Sequence, residues 1–275
     1  MSHLRLGITA VEEAPESAPF VLRGPFRDSI RTAGLIGYDA IELHVADPSL
    51  LDKDAIGEEL EKAGVQLSTL GTGLSYAREG ISLTSSSADV RRMAVARVRS
   101  HIHFARAFGS SVIIGLIRGK IAECGSPKSY FTALEDSLRE CLETAEANGV
   151  VLVLESVNRL ESDALTNTAE TLSFMDKFQS GFLLLHLDTY HMDLASESWP
   201  VALALAGKRL GHVHVADRNR LCPGTAGIDF VEVIRQIDAI GYKGCLALVC
   251  QPVPTPYQAA QESLGYFQRI TRRTV

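Results

Sequence analysis

Short apolar runs alternate with longer segments whose apolar residues recur at helical spacing, from one end of the chain to the other. The strand-like runs are LRLGI from Leu4, AIELH from Ala40, VQLSTL from Val65, SVIIGLI from Ser111, VVLVLE, FLLLHLD, GHVHVA and CLALV from Cys245. Helical patterns lie near residues 26–37, 50–64, 87–109, 129–149, 168–179, 199–207, 228–240 and 256–272. Such alternation is the mark of βαβ units in a parallel sheet. Gly64, Gly109 and Gly149 each end a helical run before a strand, where a left-handed C-cap is expected. No segment reads as a linker, since each Pro or Gly cluster falls where a βα loop belongs. Eight consecutive units predict one α/β domain over residues 1–275, a closed (β/α)8 TIM barrel.

In such a barrel the reacting groups gather at the C-terminal ends of the strands. Three apolar runs here end on polar groups: Glu155 after VVLVL, Asp188 in FLLLHLD and His214 in GHVHVAD. Side chains two apart share a strand face. Val151, Val153 and Glu155 therefore form one row, as do Leu184, His186 and Asp188, and His212, His214 and Ala216. If these rows face inward, a glutamate, an aspartate and a histidine converge on one mouth. That donor set suits a divalent ion, and Mn²⁺, Mg²⁺, Co²⁺ and Zn²⁺ all remain open. The competing assignment for each carboxylate is a helix N-cap. His186 and His212 lie one layer deeper and are expected to be buried histidines held by hydrogen bonds.

Composition narrows the possible partners. With 46% hydrophobic and 22% charged residues the chain is that of a globular protein, and a formal charge of −6 disfavours nucleic acid and anionic membranes. The opening MSHLRLGITAVEEAPES lacks an apolar stretch of signal-peptide or membrane-span length, so a cytoplasmic location is expected. Cys124, Cys141, Cys222, Cys245 and Cys250 show no C-x-x-C spacing and read as reduced, mostly buried thiols.

Taken together, GYDAIELH, VLESVNRLESDALTNTAET, LDTYHMDLASES, LGHVHVADRNRLCPGTAGIDF and GYKGCLAL resemble the xylose-isomerase-like sugar isomerases and epimerases, above all the ketose 3-epimerases of the tagatose or psicose type. The resemblance implies one divalent metal held by Glu, Asp, His and a second Glu, with a small sugar or polyol as substrate. In that family the two glutamates act on opposite faces of a sugar carbon: one removes a proton, an enediolate forms, and the other returns a proton. Glu155, Asp188 and His214 match the first three ligands. Glu161, His191 and Arg220 match residues that contact the sugar hydroxyls near the reacting carbon, which makes His191 and Arg220 catalytic candidates beside Glu155. Asp217 is expected to hold Arg220 or a neighbouring loop. A homodimer or homotetramer is also implied.

The departure comes at the eighth strand. The family pattern G-Y-x-G-x-x-x-x-E meets Gly241, Tyr242, Gly244 and then Val249, which can neither bind a cation nor carry a proton. Fewer anionic donors should weaken the metal. Gln251 shares the strand face of Val249 by parity, so its amide oxygen is a further candidate metal ligand; Cys250 should point the other way, as a structural thiol. Single-base chemistry by Glu155 suits an aldose–ketose isomerisation or a dehydration better than inversion at one carbon. The alternatives are a non-catalytic sugar-binding relative and an abasic-site endonuclease of the same superfamily. The latter is disfavoured by the acidic balance and by the scarcity of early-strand histidines beyond His44. The loops from Ala10 to Pro25 and from Arg218 to Gly227 are candidate lids.

Overall fold

The computed structural model of the chain describes residues 4–273; the first three residues of the opening segment and the last two of the predicted 1–275 domain lie outside the described residues. Nine parallel strands form one sheet: β1 Arg5–Val11, β2 Leu22–Arg23, β3 Ala40–His44, β4 Gln66–Gly71, β5 Ser111–Ile114, β6 Leu152–Glu155, β7 Leu183–Asp188, β8 Leu210–Val215 and β9 Cys245–Leu248. β1 pairs with β9, where Gly7 faces Ala247 and Ile8 faces Leu248, and this closes eight strands into a barrel. The two-residue β2 only flanks the end of β1, inside the segment read as a loop from Ala10 to Pro25. The α/β barrel expected from the alternation is thus the architecture found.

The helices cover the barrel because their apolar stripes match its outer surface. In the helix Phe230–Ala239, Phe230, Val233, Ile234 and Ile237 are buried, a spacing that fits one helical face. Gly64, Gly109 and Gly149 have φ of 65°, 61° and 66°, the left-handed conformation expected where helices stop. Three short helices were not legible in the periodicity, Gly73–Glu79, Ile121–Cys124 and Thr189–Leu194, because none is long enough to show a repeat. No helix among the described residues is long and apolar enough to cross a membrane.

Register brings the polar strand ends together. Glu155 of β6 faces His186 of β7, while Asp188 of β7 faces His214 of β8 after a register shift between Leu185 and His186. Parity, correct within each strand, therefore acquires its meaning from pairing between strands.

Candidate metal centre

Glu42, in the middle of β3, is fully buried and organises the floor of the site. Its carboxylate accepts from His44 Nε2 at 2.6 Å, His212 Nε2 at 2.8 Å and His214 Nε2 at 2.9 Å, and from the Thr69 hydroxyl. Burial alone would raise its pKa, but His214 and the hydrogen bonds from His212, His214 and His44 outweigh that and hold it well below the ordinary carboxylate range. Four donors fill the lone-pair directions of one carboxylate. With its Nε2 proton on Glu42, His214 keeps a lone pair on Nδ1, which lies 3.8 Å from Asp188 Oδ2. A carboxylate behind an imidazole in this way fixes the tautomer and strengthens the ring as a metal ligand. Glu42 was missed in the sequence, where an acid within A-I-E-L-H was the only signal.

Asp188 takes the N-cap position that competed with the ligand assignment. As N-cap of the helix Thr189–Leu194 its Oδ1 accepts the Tyr190 N–H at 2.8 Å, and its Oδ2 receives Arg220 Nη1 at 2.6 Å. Burial opposes its ionisation, but Arg220 leads the groups that bring its pKa down to about 2. Glu155 is placed differently: burial, reinforced by the Asp188 carboxylate, pushes it up to about 8. Its Oε1 lies 3.6 Å from His191 Nε2 and 4.0 Å from His186 Nδ1.

The Asn158 amide, which donates to Glu161 and accepts the Leu160 N–H, also donates to His191 Nδ1 at 2.6 Å. Burial brings the His191 pKa down to about 3, so the ring is neutral, and its Nε2 lies 3.1 Å from Arg220 Nη2 and 3.6 Å from Glu155 Oε1. Arg220 stacks on Tyr190 at 4.3 Å. Glu155, Glu161, His191, His214, Arg220 and Val249 all line one pocket of about 270 Å³, with His44, Phe20 and Leu116 among the other walls.

Two corrections follow from these placements. Gln251 lies apart from the other predicted ligands: its Nε2 donates to the Ser17 carbonyl at 2.7 Å, and it does not line the pocket. β9 ends at Leu248, so strand parity no longer governs its direction. Of the two partners expected for Asp217, Arg220 and a neighbouring loop, the loop is the one found: the carboxylate accepts the backbone N–H groups of Arg218, Gly224, Thr225, Ala226 and Ile228 and fastens the loop read as a lid. His212 is hydrogen-bonded as expected, whereas neither ring nitrogen of the fully buried His186 has a partner. Cys250, also fully buried, lies 3.7 Å from Cys222.

Two mutations test this scaffold. Asp217→Ala leaves five N–H groups to find other partners and should destabilise the protein by on the order of 3 kcal/mol, read from urea melts. A Cβ on Gly115 would sit 2.3 Å from Glu155 Oε2, so Gly115→Ala should displace the carboxylate. Misplacing a reacting group by about 1 Å costs about 100-fold, and kcat should fall on that scale while the melting temperature changes little.

Glu155, Asp188 and His214 fit a divalent cation. They offer two carboxyl groups and an imidazole whose Nδ1 faces Asp188, and Glu155 is held protonated at neutral pH by burial and by the Asp188 charge, both of which a cation would offset. Glu155, Asp188 and His191 have ligand atoms within 4.8 Å of one another, and so do His186, His212 and His214.

Named sugar epimerases are among the proteins to which the chain is similar. It is 29% identical over 209 residues to an L-ribulose 3-epimerase from Mesorhizobium japonicum, covering 75% of this chain and 69% of that protein. It is 37% identical over 116 residues to a D-psicose 3-epimerase from Enterocloster bolteae, covering 42% of this chain and 38% of that one. The crystal structure of a D-psicose 3-epimerase from Clostridium cellulolyticum with D-tagatose superposes with a TM-score of 0.80 at 23% identity, over 97% of this chain and 99% of that one, a likeness of fold. The 3-keto-D-glucoside 4-epimerase from Escherichia coli gives 0.82 at 19% identity over 97% and 99%. Residues 30–270 match the model of the xylose isomerase-like TIM barrel, and the chain belongs to that family.

Proposed function

We propose that the protein is a divalent-metal-dependent sugar isomerase or epimerase acting on a ketose or related polyol, with Glu155 as its proton-transferring base. The observation that carries this reading is that Glu155 and Asp188 bring their carboxyl oxygens together while the Nδ1 of His214 stands 3.8 Å from Asp188, with Glu42 holding the other nitrogen of that ring. The names of the related epimerases support the substrate class.

A cation held by Glu155, Asp188 and His214 would supply Lewis-acid stabilisation of negative charge on the substrate oxygens. The chain's own groups do the rest. Glu155 takes the proton from the carbon beside the carbonyl and can return it on the same face. His191 presents Nε2 to the substrate oxygens, and Arg220, clamped by Asp188 and stacked on Tyr190, offers a hydrogen-bond donor and a fixed positive charge. Glu161 stands in the pocket wall with Asn158 at 3.1 Å, placed to accept a sugar hydroxyl. Val249 leaves no second base at its position, which favours proton return to one face and hence aldose–ketose isomerisation over inversion.

The test is solvent exchange. Incubation of the metal-loaded protein with a panel of ketoses in D₂O should place deuterium on a carbon next to the carbonyl. No exchange across the panel, with ligand-induced thermal stabilisation retained, would favour the second reading, a sugar-binding relative without turnover, which the apolar Val249 supports.

Metal affinity should also report the state of Glu155. Burial beside Asp188 keeps this carboxyl protonated below about 8, and a cation must displace that proton. Affinity should rise about tenfold per pH unit up to about 8 and level off above it, as read by the free Mn²⁺ signal in electron paramagnetic resonance titrations.

A further inference from the structure

We propose that His186 is itself a ligand of the cation, supplying from beneath the pocket the donor that Val249 does not. The proposal rests on the metal reading above. The observation behind it is an orphan: His186 is fully buried at the centre of the barrel, and neither its Nδ1 nor its Nε2 has a hydrogen-bond partner. A buried, unpaired imidazole is costly, and in a native protein it calls for something to satisfy it.

The neighbouring histidines show by contrast what is unusual. His44 and His212 both direct Nε2 at Glu42, and His214 does the same while turning Nδ1 toward Asp188. His191 receives Asn158 on one nitrogen and faces Arg220 with the other. Each of these rings has at least one hydrogen-bond partner. His186 has both nitrogens uncommitted, with its ring 4.1 Å from that of His214, edge to face, and its Nδ1 4.0 Å from Glu155 Oε1. Two donors that share one ion at about 2.1 Å each can lie up to about 4.2 Å apart. The 4.0 Å between His186 and Glu155 and the 3.8 Å between His214 and Asp188 both fall within that span. At these separations neither pair is hydrogen-bonded.

His186 also stands two residues before Asp188 on β7 and opposite Glu155 in register, so the backbone already places it under the two carboxylates. The resulting donors are two carboxylates and two imidazoles. Exchanging a carboxylate for an imidazole softens the set and shifts preference from Mg²⁺ and Mn²⁺ toward Co²⁺ and Zn²⁺.

The experiment uses the full chain stripped of metal by chelation and titrated with Co²⁺, whose visible absorption reports the nitrogen donors, followed by competition between Zn²⁺ and Mn²⁺. Wild type should take up one Co²⁺ and prefer Zn²⁺. His186→Met should bind Co²⁺ at least about tenfold more weakly, with a shifted spectrum and a reduced preference for Zn²⁺. Its metal-free melting temperature should stay level or rise, because the unpaired imidazole is gone, and a merely structural histidine would not produce this opposition. Should His186→Met fail to fold, His186→Gln makes the same comparison. Adding Val249→Glu to the His186→Met chain should restore affinity but with the preference moved toward Mn²⁺. Unchanged Co²⁺ affinity and spectrum in His186→Met, with binding lost in Glu155→Gln, would overturn the assignment of His186 and leave the metal centre standing. Failure of wild type to bind Co²⁺, Zn²⁺ or Mn²⁺ would overturn both.

Discussion

Glu155→Gln should lower deuterium exchange into a ketose by about 1,000-fold, the middle of the range for loss of a positioned general base. The amide has the size of the carboxyl it replaces but cannot accept a proton from carbon, and it is a poorer donor to a hard cation. The substitution is well suited to separate chemistry from folding. At neutral pH the metal-free side chain is already uncharged, because burial and Asp188 push it up to about 8, so the amide asks little of its surroundings. Its neighbours His191 and His186 stand at 3.6 and 4.0 Å without a hydrogen bond that the change would break. The melting temperature of the metal-free protein should therefore be unchanged or slightly raised while exchange collapses. Exchange at the wild-type rate would remove Glu155 from the role of base.

Val249→Glu is the second large effect, and it runs in the opposite direction. Val249 is 4% exposed and lines the pocket with Glu155, His214 and Arg220, so a carboxylate introduced there reaches the same space from the far side. In the presence of Mn²⁺ the added anionic oxygen should raise affinity at least about tenfold, and a base on the second face should allow proton return from that side. Inversion at a carbon next to the carbonyl, followed by chromatography of the ketose products, is the expected gain. Without metal the same substitution buries a third carboxylate near Glu155 and Asp188. It should destabilise the metal-free protein by on the order of 3 kcal/mol, so the thermal shift on adding Mn²⁺ should grow well beyond that of wild type. Equal metal affinity in the two proteins would show that the β9 alignment does not place residue 249 at the cation.

Comparison of these residues shows how far one-dimensional pattern reaches. The eight barrel strands, the helix ends at Gly64, Gly109 and Gly149, and the shared rows ending at Glu155, Asp188 and His214 follow from local rules of periodicity and backbone conformation. Those rules act between residues a few positions apart. Gln251 marks their limit, since parity holds only while the chain remains extended, and β9 stops three residues before it.

Long-range pairing decided the remainder. Glu42 and His212 are separated by 170 positions, and on strands that are not neighbours in the barrel, yet they meet at 2.8 Å across its interior. No local pattern could reveal that Glu42 would be saturated by three imidazoles and a hydroxyl, or that this would leave His214 with its Nδ1 turned to Asp188. The same holds for His186, whose significance is an absence of partners that only the packed interior defines. By itself the sequence determined the barrel, the inward rows and the missing carboxylate at Val249, because alternation and strand length are properties of adjacent residues. The tertiary structure alone decided which nitrogen of each histidine is free, because a proton's position depends on what the rest of the chain brings within hydrogen-bonding distance.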